Sequence, residues 1–335
     1  MLTRTAVVPT LFTASCLMLF HTLPANASDL PTLQLQAKLS VSGLSSGGYM
    51  ANQFHLAFSD KVTGAGIIAA GPYGCAQNSL QVALEHCFNK DSSAPDLSKA
   101  TALLQQQAGA GTIAPLSNLK GSPVFLLHGA ADKTVHNKVS DALATQYQQL
   151  GAKVQYVSDK AFGHNFPTAN KGAGCELSET PYLGACGYDA AGALLKHLYP
   201  ELKTKADKTT GQLFSLQQQD LAGDTASSLG ETGFLYVPQS CAKGSSCTLH
   251  ISFHGCKQYA SAVGDAYAKG TGLNEWADSN DIVVLYPQTE KSAMVPFNPN
   301  GCWDWWGYTD SNYGNQQGPQ IKAVMALAKS IGFKG

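Results

Sequence analysis

The stretch "VSGLSSGGYM", residues 41–50, sets Ser45 at the centre of a Gly-x-Ser-x-Gly pattern, between an apolar run ending at Val41 and a segment able to start a helix. Gly43 and Gly47 allow a sharp turn from strand to helix, which would hold the Ser45 hydroxyl strained and exposed above a sheet. Five residues of this kind also match many flexible turns, so the rest of the chain must supply chemical partners. A serine hydroxyl is a poor nucleophile until a base removes its proton, and that base needs a third group to hold its tautomer and stabilise its cation.

The partners are sought at strand ends. "PVFLLHGAADKTV" offers Asp132 just past a buried-type strand, and "VQYVSDKAFGHNFP" offers His164 in the loop past the next one. Both positions lie where α/β sheets carry their ligands, outside the carboxyl ends of the strands. The order Ser45, Asp132, His164 is also the chain order of α/β-hydrolases. Rival carboxylates are Asp159, which precedes the His164 loop, and Asp189, which opens the helical pattern "DAAGALLKHL" and is explained as its cap. His128 at a strand end reads as structural, and His55, His86 and His136 sit in polar or helical settings.

The chain begins with a positive start, an apolar stretch and Ala25-Asn26-Ala27, a leader signature with cleavage expected after Ala27. The apolar run is too short and too interrupted for a membrane span. Residues 28–335 are then expected to form one catalytic domain. Charged residues are only 13% and the formal net charge is −1, which gives no footprint for nucleic acid and suits a neutral substrate. Cys16 falls in the leader, leaving an even set of eight cysteines that reads as disulfides in an exported chain. Their clustering favours Cys75–Cys87, Cys175–Cys186 and Cys241–Cys247, leaving Cys256 for Cys302. A zinc site is the alternative, but the chain lacks a Cys-x-x-Cys pair.

Short β-rich runs alternate with helical spacing, as in "AKLSVSG", "VTGAGIIAAG", "SPVFLLHG", "AKVQYVSD" and the helical "VSDALATQYQQLG". This alternation predicts a mostly parallel sheet with helices on both faces. The pattern pauses between about Thr204 and Ser228, which is read as a surface excursion, and resumes with "GFLYVP", "CTLHISFHG", "DIVVLYPQ" and a final helix "GPQIKAVMALAKSIG". An oxyanion hole needs the amide after the nucleophile, here Ser46, and a second from a His-Gly loop. The His-Gly-Cys turn at 254–256 follows the serine instead of preceding it. Read from residue 234 and wrapped to the mature start, the parts fall in normal hydrolase order, so the chain is expected to be circularly permuted, with Gly335 near the strand entering the elbow.

Taken together, "VSGLSSGGYMA", "HGAADKTV", "FGHNFP", "LHISFHGCKQ", "GLNEWADSNDIVVLYPQT" and "NPNGCWDWWGY" resemble extracellular poly(3-hydroxybutyrate) depolymerases of the group with the serine motif near the amino terminus. The resemblance implies a circularly permuted α/β-hydrolase fold and a secreted, monomeric enzyme that acts on an insoluble polyester without metal or organic cofactor. It also implies the triad Ser45, Asp132 and His164, with oxyanion donors at the amides of Ser46 and Cys256. A Cys256–Cys302 bridge would tie that turn to the loop "GCWDWWGY", where one or more of Trp303, Trp305 and Trp306 is expected to touch substrate. The competing expectations are another secreted esterase, acting on feruloylated or acetylated xylan, and a non-catalytic polymer-binding protein on the same scaffold.

Overall fold

The computed structural model describes Met1, residues 30–88 and residues 94–335. The expected leader, residues 1–27, lies outside the described residues apart from Met1. The strands are β1 Gln34–Leu44, β2 Val62–Ile68, β3 Pro123–Leu127, β4 Lys153–Val157, β5 Phe166–Thr168, β6 Ala173–Gly174, β7 Leu183–Ala185, β8 Gln212–Gln217, β9 Thr232–Val237, β10 Ser246–Phe253 and β11 Ile282–Tyr286. Eight of them form one sheet in the order β4-β3-β2-β1-β10-β11-β9-β8. Pairing is parallel from β4 through β11, and β9 and β8 close that edge antiparallel.

Side-chain alternation along each strand builds two cores. β11 sends Val283 and Leu285 to one face and Ile282, Val284 and Tyr286 to the other, and β3 splits Val124 and Leu126 from Phe125 and Leu127 in the same way. The helices are α1 Ser46–Ala57, α2 Leu80–His86, α3 Leu97–Gly109, α4 Asn137–Gln149 and α5 Ala190–Leu198, followed by shorter turns, a helix at Leu273–Ser279 and the last helix, Pro319–Ser330. The first face carries α1, α4 and the last helix, through residues such as Phe54, Leu143 and Ile321. The second carries α5 and Leu273–Ser279, through Leu194, Leu198 and Trp276. Its middle is polar: His250 Nδ1 bonds Ser40 Oγ and Nε2 bonds Ser42 Oγ, at 2.6 and 2.8 Å, so the buried groups of β1 and β10 satisfy one another.

Counted from β8 to the last helix and on into β1, the strands run 1-2-4-3-5-6-7-8 across the sheet, the order expected of a permuted hydrolase. The far end of the chain folds back on β1, where a Cβ added to Gly335 would lie 2.5 Å from the Ala37 carbonyl. One expectation is corrected. The pause at 204–228 is only in part an excursion, because it contains β8, the sheet's edge strand, and turns whose Ala222 and Ala226 pack into the first core with the last helix. All four expected disulfides are formed: Cys75–Cys87, Cys175–Cys186, Cys241–Cys247 and Cys256–Cys302.

Candidate active site

The turn at Ser45 joins β1 to α1 with φ 57° and ψ −122°, a left-handed conformation that costs a residue with a side chain energy and is kept only where its surroundings enforce it. Here they do. The Ser45 N–H donates to the Ile68 carbonyl at 2.8 Å, and the Ser45 carbonyl accepts the Tyr49 N–H at 3.0 Å. The two motif glycines are needed for close approach: a Cβ on Gly43 would lie 2.1 Å from the Gly47 carbonyl oxygen, and one on Gly47 would lie 2.2 Å from that of Phe253.

Asp132 follows β3 and His164 follows β4, both past the carboxyl ends of their strands. His164 Nδ1–H donates to Asp132 Oδ2 at 2.7 Å, while Asp132 Oδ1 accepts the amides of Thr134 and Val135 at 2.7 and 3.0 Å. Burial by itself would raise the Asp132 pKa, but the facing His164, through its charge and its hydrogen bond, together with His128 and the Val135 amide, holds the carboxyl below its ordinary range. The His164 amide is tied to Ser178 Oγ at 2.8 Å, and the small sheet β5-β7-β6, pinned by Cys175–Cys186, backs its loop. With Nδ1 engaged, Nε2 is the ring nitrogen left to exchange a proton in the cavity that His164 and Ser45 both line.

The rivals fall away on geometry. Asp159 is exposed and paired with Lys160, and Asp189 caps α5 by accepting the Gly192 N–H at 2.8 Å. His128 is buried against Ser140 Oγ at 2.9 Å. His55 lies in the core between Tyr147 and Ser122.

The cavity holds about 360 Å³ and is lined by both Ser45 and Cys256. On either side of the Cys256 amide the turn is clamped: Gly255 N–H donates to Gln258 Oε1 at 2.7 Å, and Lys257 N–H to the Asn300 carbonyl at 2.7 Å. Ser46, as the first residue of α1, has an N–H with no acceptor inside the helix. Its Oγ accepts the Trp303 N–H at 3.3 Å, tying the elbow to the tryptophan loop. A second cavity of about 370 Å³, lined by Gln53, Gln106, Gln107 and Asn315, contains none of these groups.

The three tryptophans separate. Trp303 is 0% exposed, meets Phe253 edge-on at 5.1 Å and does not line the cavity, so it is a core residue and the expectation of substrate contact is withdrawn for it. Trp305 and Trp306 line the cavity. Sequence reasoning missed what holds them there. Asp304, buried beneath the loop, accepts N–H groups of Trp306, Gly307 and Tyr308 at Oδ1 and the N–H and hydroxyl of Thr309 at Oδ2. It also missed Gln258, whose Nε2 reaches the Pro181 carbonyl at 2.7 Å while its Oε1 holds Gly255. The acid between two tryptophans in "WDWW" was the one available signal for the former.

A strained serine turn leading into a helix, with a His–Asp pair at the carboxyl edge of a mostly parallel sheet, defines a serine hydrolase on the α/β-hydrolase fold. Along most of its length the chain is similar to a poly(3-hydroxybutyrate) depolymerase of Delftia acidovorans, 39% identical over 313 residues, and to a polyhydroxybutyrate depolymerase of Talaromyces funiculosus, 38% identical over 328 residues. The chain belongs to the polyhydroxybutyrate depolymerase family. The matches cover 91% and 92% of this chain, and 62% and 94% of those two proteins, so the chain spans less than two thirds of the Delftia relative.

Residues 232–334 match the esterase PHB depolymerase family model, and residues 31–182 match the prolyl oligopeptidase family. Two solved structures superpose closely. One is a PHB depolymerase with a serine-to-alanine substitution complexed with an R3HB trimer, at TM-score 0.83 and 37% identity, covering 90% of this chain and 98% of that one. The other is PHB depolymerase from Penicillium funiculosum, at TM-score 0.82 and 37% identity, covering 90% and 97%.

Proposed function

We propose that the protein is a secreted serine esterase that hydrolyses poly(3-hydroxybutyrate), or a similar short-chain polyhydroxyalkanoate, to hydroxyacid oligomers and monomers. The observation that carries the proposal is the convergence of Ser45, the His164–Asp132 pair and the Cys256 turn on one cavity. His164 Nε2 takes the Ser45 proton as the hydroxyl oxygen attacks the ester carbonyl, and the amides of Ser46 and Cys256 hold the oxyanion. His164 then protonates the departing alkoxide, and a water, deprotonated by His164, attacks the acyl-serine to release the acid and restore Ser45.

The cavity mouth suits a solid, uncharged substrate. Leu80, Leu84 and Phe297 line it yet remain about half exposed, and Met294 and Val295 project beside Phe297. Such clustered apolar side chains at a surface mark an interaction site. Among the described residues no helix is long and apolar enough to cross a membrane, and the four disulfides suit an oxidising compartment outside the cytosol.

The test is to incubate the protein and its Ser45→Ala variant with poly(3-hydroxybutyrate) film, feruloylated xylan and acetylated xylan, with products read by mass spectrometry. Hydroxybutyrate oligomers from film with the unaltered protein alone are the expected result. Release of ferulate or acetate without attack on film would assign a different ester, and full activity of the Ser45→Ala variant would remove Ser45 as nucleophile.

A further inference from the structure

The second cavity, of about 370 Å³, shares no lining residue with the one that holds Ser45. Three parts of the chain build it: α3, the turn at residues 73–78 that Cys75–Cys87 pins, and residues 311–315 after the tryptophan loop. Gln53 joins them from α1. The tryptophan loop is close by. Gln53 Nε2 donates to the Asp304 carbonyl at 2.9 Å, and a Cβ on Gly307 would lie 1.8 Å from Asn78 Oδ1.

Two of the lining side chains are deeply buried with a polar atom left over. Gln53 is 3% exposed, and with its Nε2 committed to Asp304, its Oε1 has no hydrogen-bond partner among the described residues. Tyr73 is also 3% exposed, and its hydroxyl, packed against Gly314, has no partner among them either. Buried polar groups are normally paired, so these two ask for water or a ligand. Near them stand the carboxamides of Gln77, Asn78 and Gln106. Carboxamides and phenols both donate and accept, as an alcohol hydroxyl does.

Among the described residues no carboxylate lines the cavity, and its one cation, Lys99, already faces Asp96 at 3.8 Å. An anion would meet a charge that is engaged, a cation would meet none, and a hydrocarbon would strand Gln53 and Tyr73. The volume lies near the lower end of the range for small-molecule sites, about 300–1,000 Å³. We propose that this cavity binds a small neutral polyhydroxylated molecule, a mono- or disaccharide. Its hydroxyls exchange hydrogen bonds with Gln53, Tyr73 and Gln106, and its C–H face lies against Leu103 and Tyr313.

The experiment is calorimetric titration of glucose, cellobiose, maltose and xylobiose into the full chain, with sodium 3-hydroxybutyrate as the anionic control. The same titrations are run on Gln106→Ala, Ala102→Trp and Ser45→Ala. Gln106 and Ala102 are exposed positions of α3, so the first variant removes a hydrogen-bonding group and the second fills the cavity without touching the core. Expected is saturable binding of at least one sugar with a Kd of about 1 mM or tighter, weakened at least about tenfold in both α3 variants. Added salt should leave it unchanged, because no charge is exchanged. Ser45→Ala should leave it unchanged too.

Absence of saturable binding by all four sugars overturns the inference, as does tighter binding of 3-hydroxybutyrate than of any sugar. Undiminished affinity in Gln106→Ala and Ala102→Trp, or affinity lost in Ser45→Ala, would put the sugar elsewhere and overturn it as well. Thermal unfolding checks each variant, and if Ala102→Trp does not fold, Gln106→Ala decides. The inference does not rest on the esterase reading: hydrolysis by Ser45→Ala would sink that reading and leave sugar binding standing.

Discussion

Trp305 stacks on Tyr49 with 4.7 Å between ring centroids and 14° between planes, so the first turn of the helix after Ser45 also carries one wall of the cavity. A short soluble ester needs the nucleophile and its amides, whereas a polymer chain must also lie along that wall. Trp305→Ala or Trp306→Ala is therefore expected to slow hydrolysis of poly(3-hydroxybutyrate) film at least about tenfold, equivalent to about 1.4 kcal/mol of transition-state binding, with little change on 4-nitrophenyl butyrate. Trp303→Ala should instead cost about 3–5 kcal/mol of stability, as a large buried aromatic does. Equal losses on film and soluble ester for Trp305 and Trp306 would place polymer contact elsewhere.

Asp132→Asn tests the orientation of His164. The amide can leave the backbone of the loop nearly in place, but it no longer requires the ring proton to sit on Nδ1. A fall in kcat of about 10,000-fold is expected, with near-native circular dichroism. A variant within tenfold of the parent would show that His164 needs no carboxylate.

The Cys256–Cys302 bridge spans 46 residues, the longest of the four loops. On the model in which a disulfide limits the unfolded chain, it contributes roughly 4 kcal/mol, against about 2–3 for the shorter ones. It also holds the Cys256 turn. Paired replacement with serine should lower both the urea midpoint and kcat, whereas replacing Cys75 and Cys87 should lower mainly the midpoint. The reverse pattern would separate the bridge from the chemistry.

Acid stability follows from three histidines that burial keeps neutral: His55 and His250, with pKa lowered to about 3, and His254, lowered to about 4, from an ordinary 6.5. The unfolded chain takes up these protons below pH 6.5 and the folded chain does not until near pH 4, so stability must fall as pH drops through that window. Each group contributes a slope approaching about 1.4 kcal/mol per pH unit. Urea titrations between pH 7 and 4.5 should show the decline, and His55→Gln should flatten it by about one such increment. A pH-independent midpoint would mean that water reaches these rings.

The placement of Ser45 at a strand-to-helix turn and of Asp132 and His164 past strand ends was legible because each sits in a local pattern that a strand end makes recognisable. The parallel strands were legible because their apolar runs are continuous. β8 was hidden: of Gln212–Gln217 only Leu216 is fully buried, and an edge strand half in water has the composition of a loop. β5, β6 and β7, of two or three residues, are too short to show a period. The division of Trp303 from Trp305 and Trp306 depends on Phe253 and Tyr49, remote in sequence, and no local pattern could rank three neighbouring indoles. The bond between His254 and Gly255 is local in sequence, yet the ring orientation behind it depends on Thr289, Tyr267 and Trp303, remote in sequence.

β1, which delivers Ser45, has β2 on one side and β10 on the other, and β10 delivers Cys256. In chain order Ser45, His164 and Asp132, the proposed nucleophile, base and acid, all precede β10. Without β10, one side of β1 would be a bare edge and the proposed second oxyanion donor, the Cys256 amide, would be out of place. Completing the site therefore requires the pairing of β1 with β10, a contact between distant parts of the chain whose closure carries an entropic cost. A chain cut short before β10 would still carry Ser45, Asp132 and His164, yet it is expected to be inert.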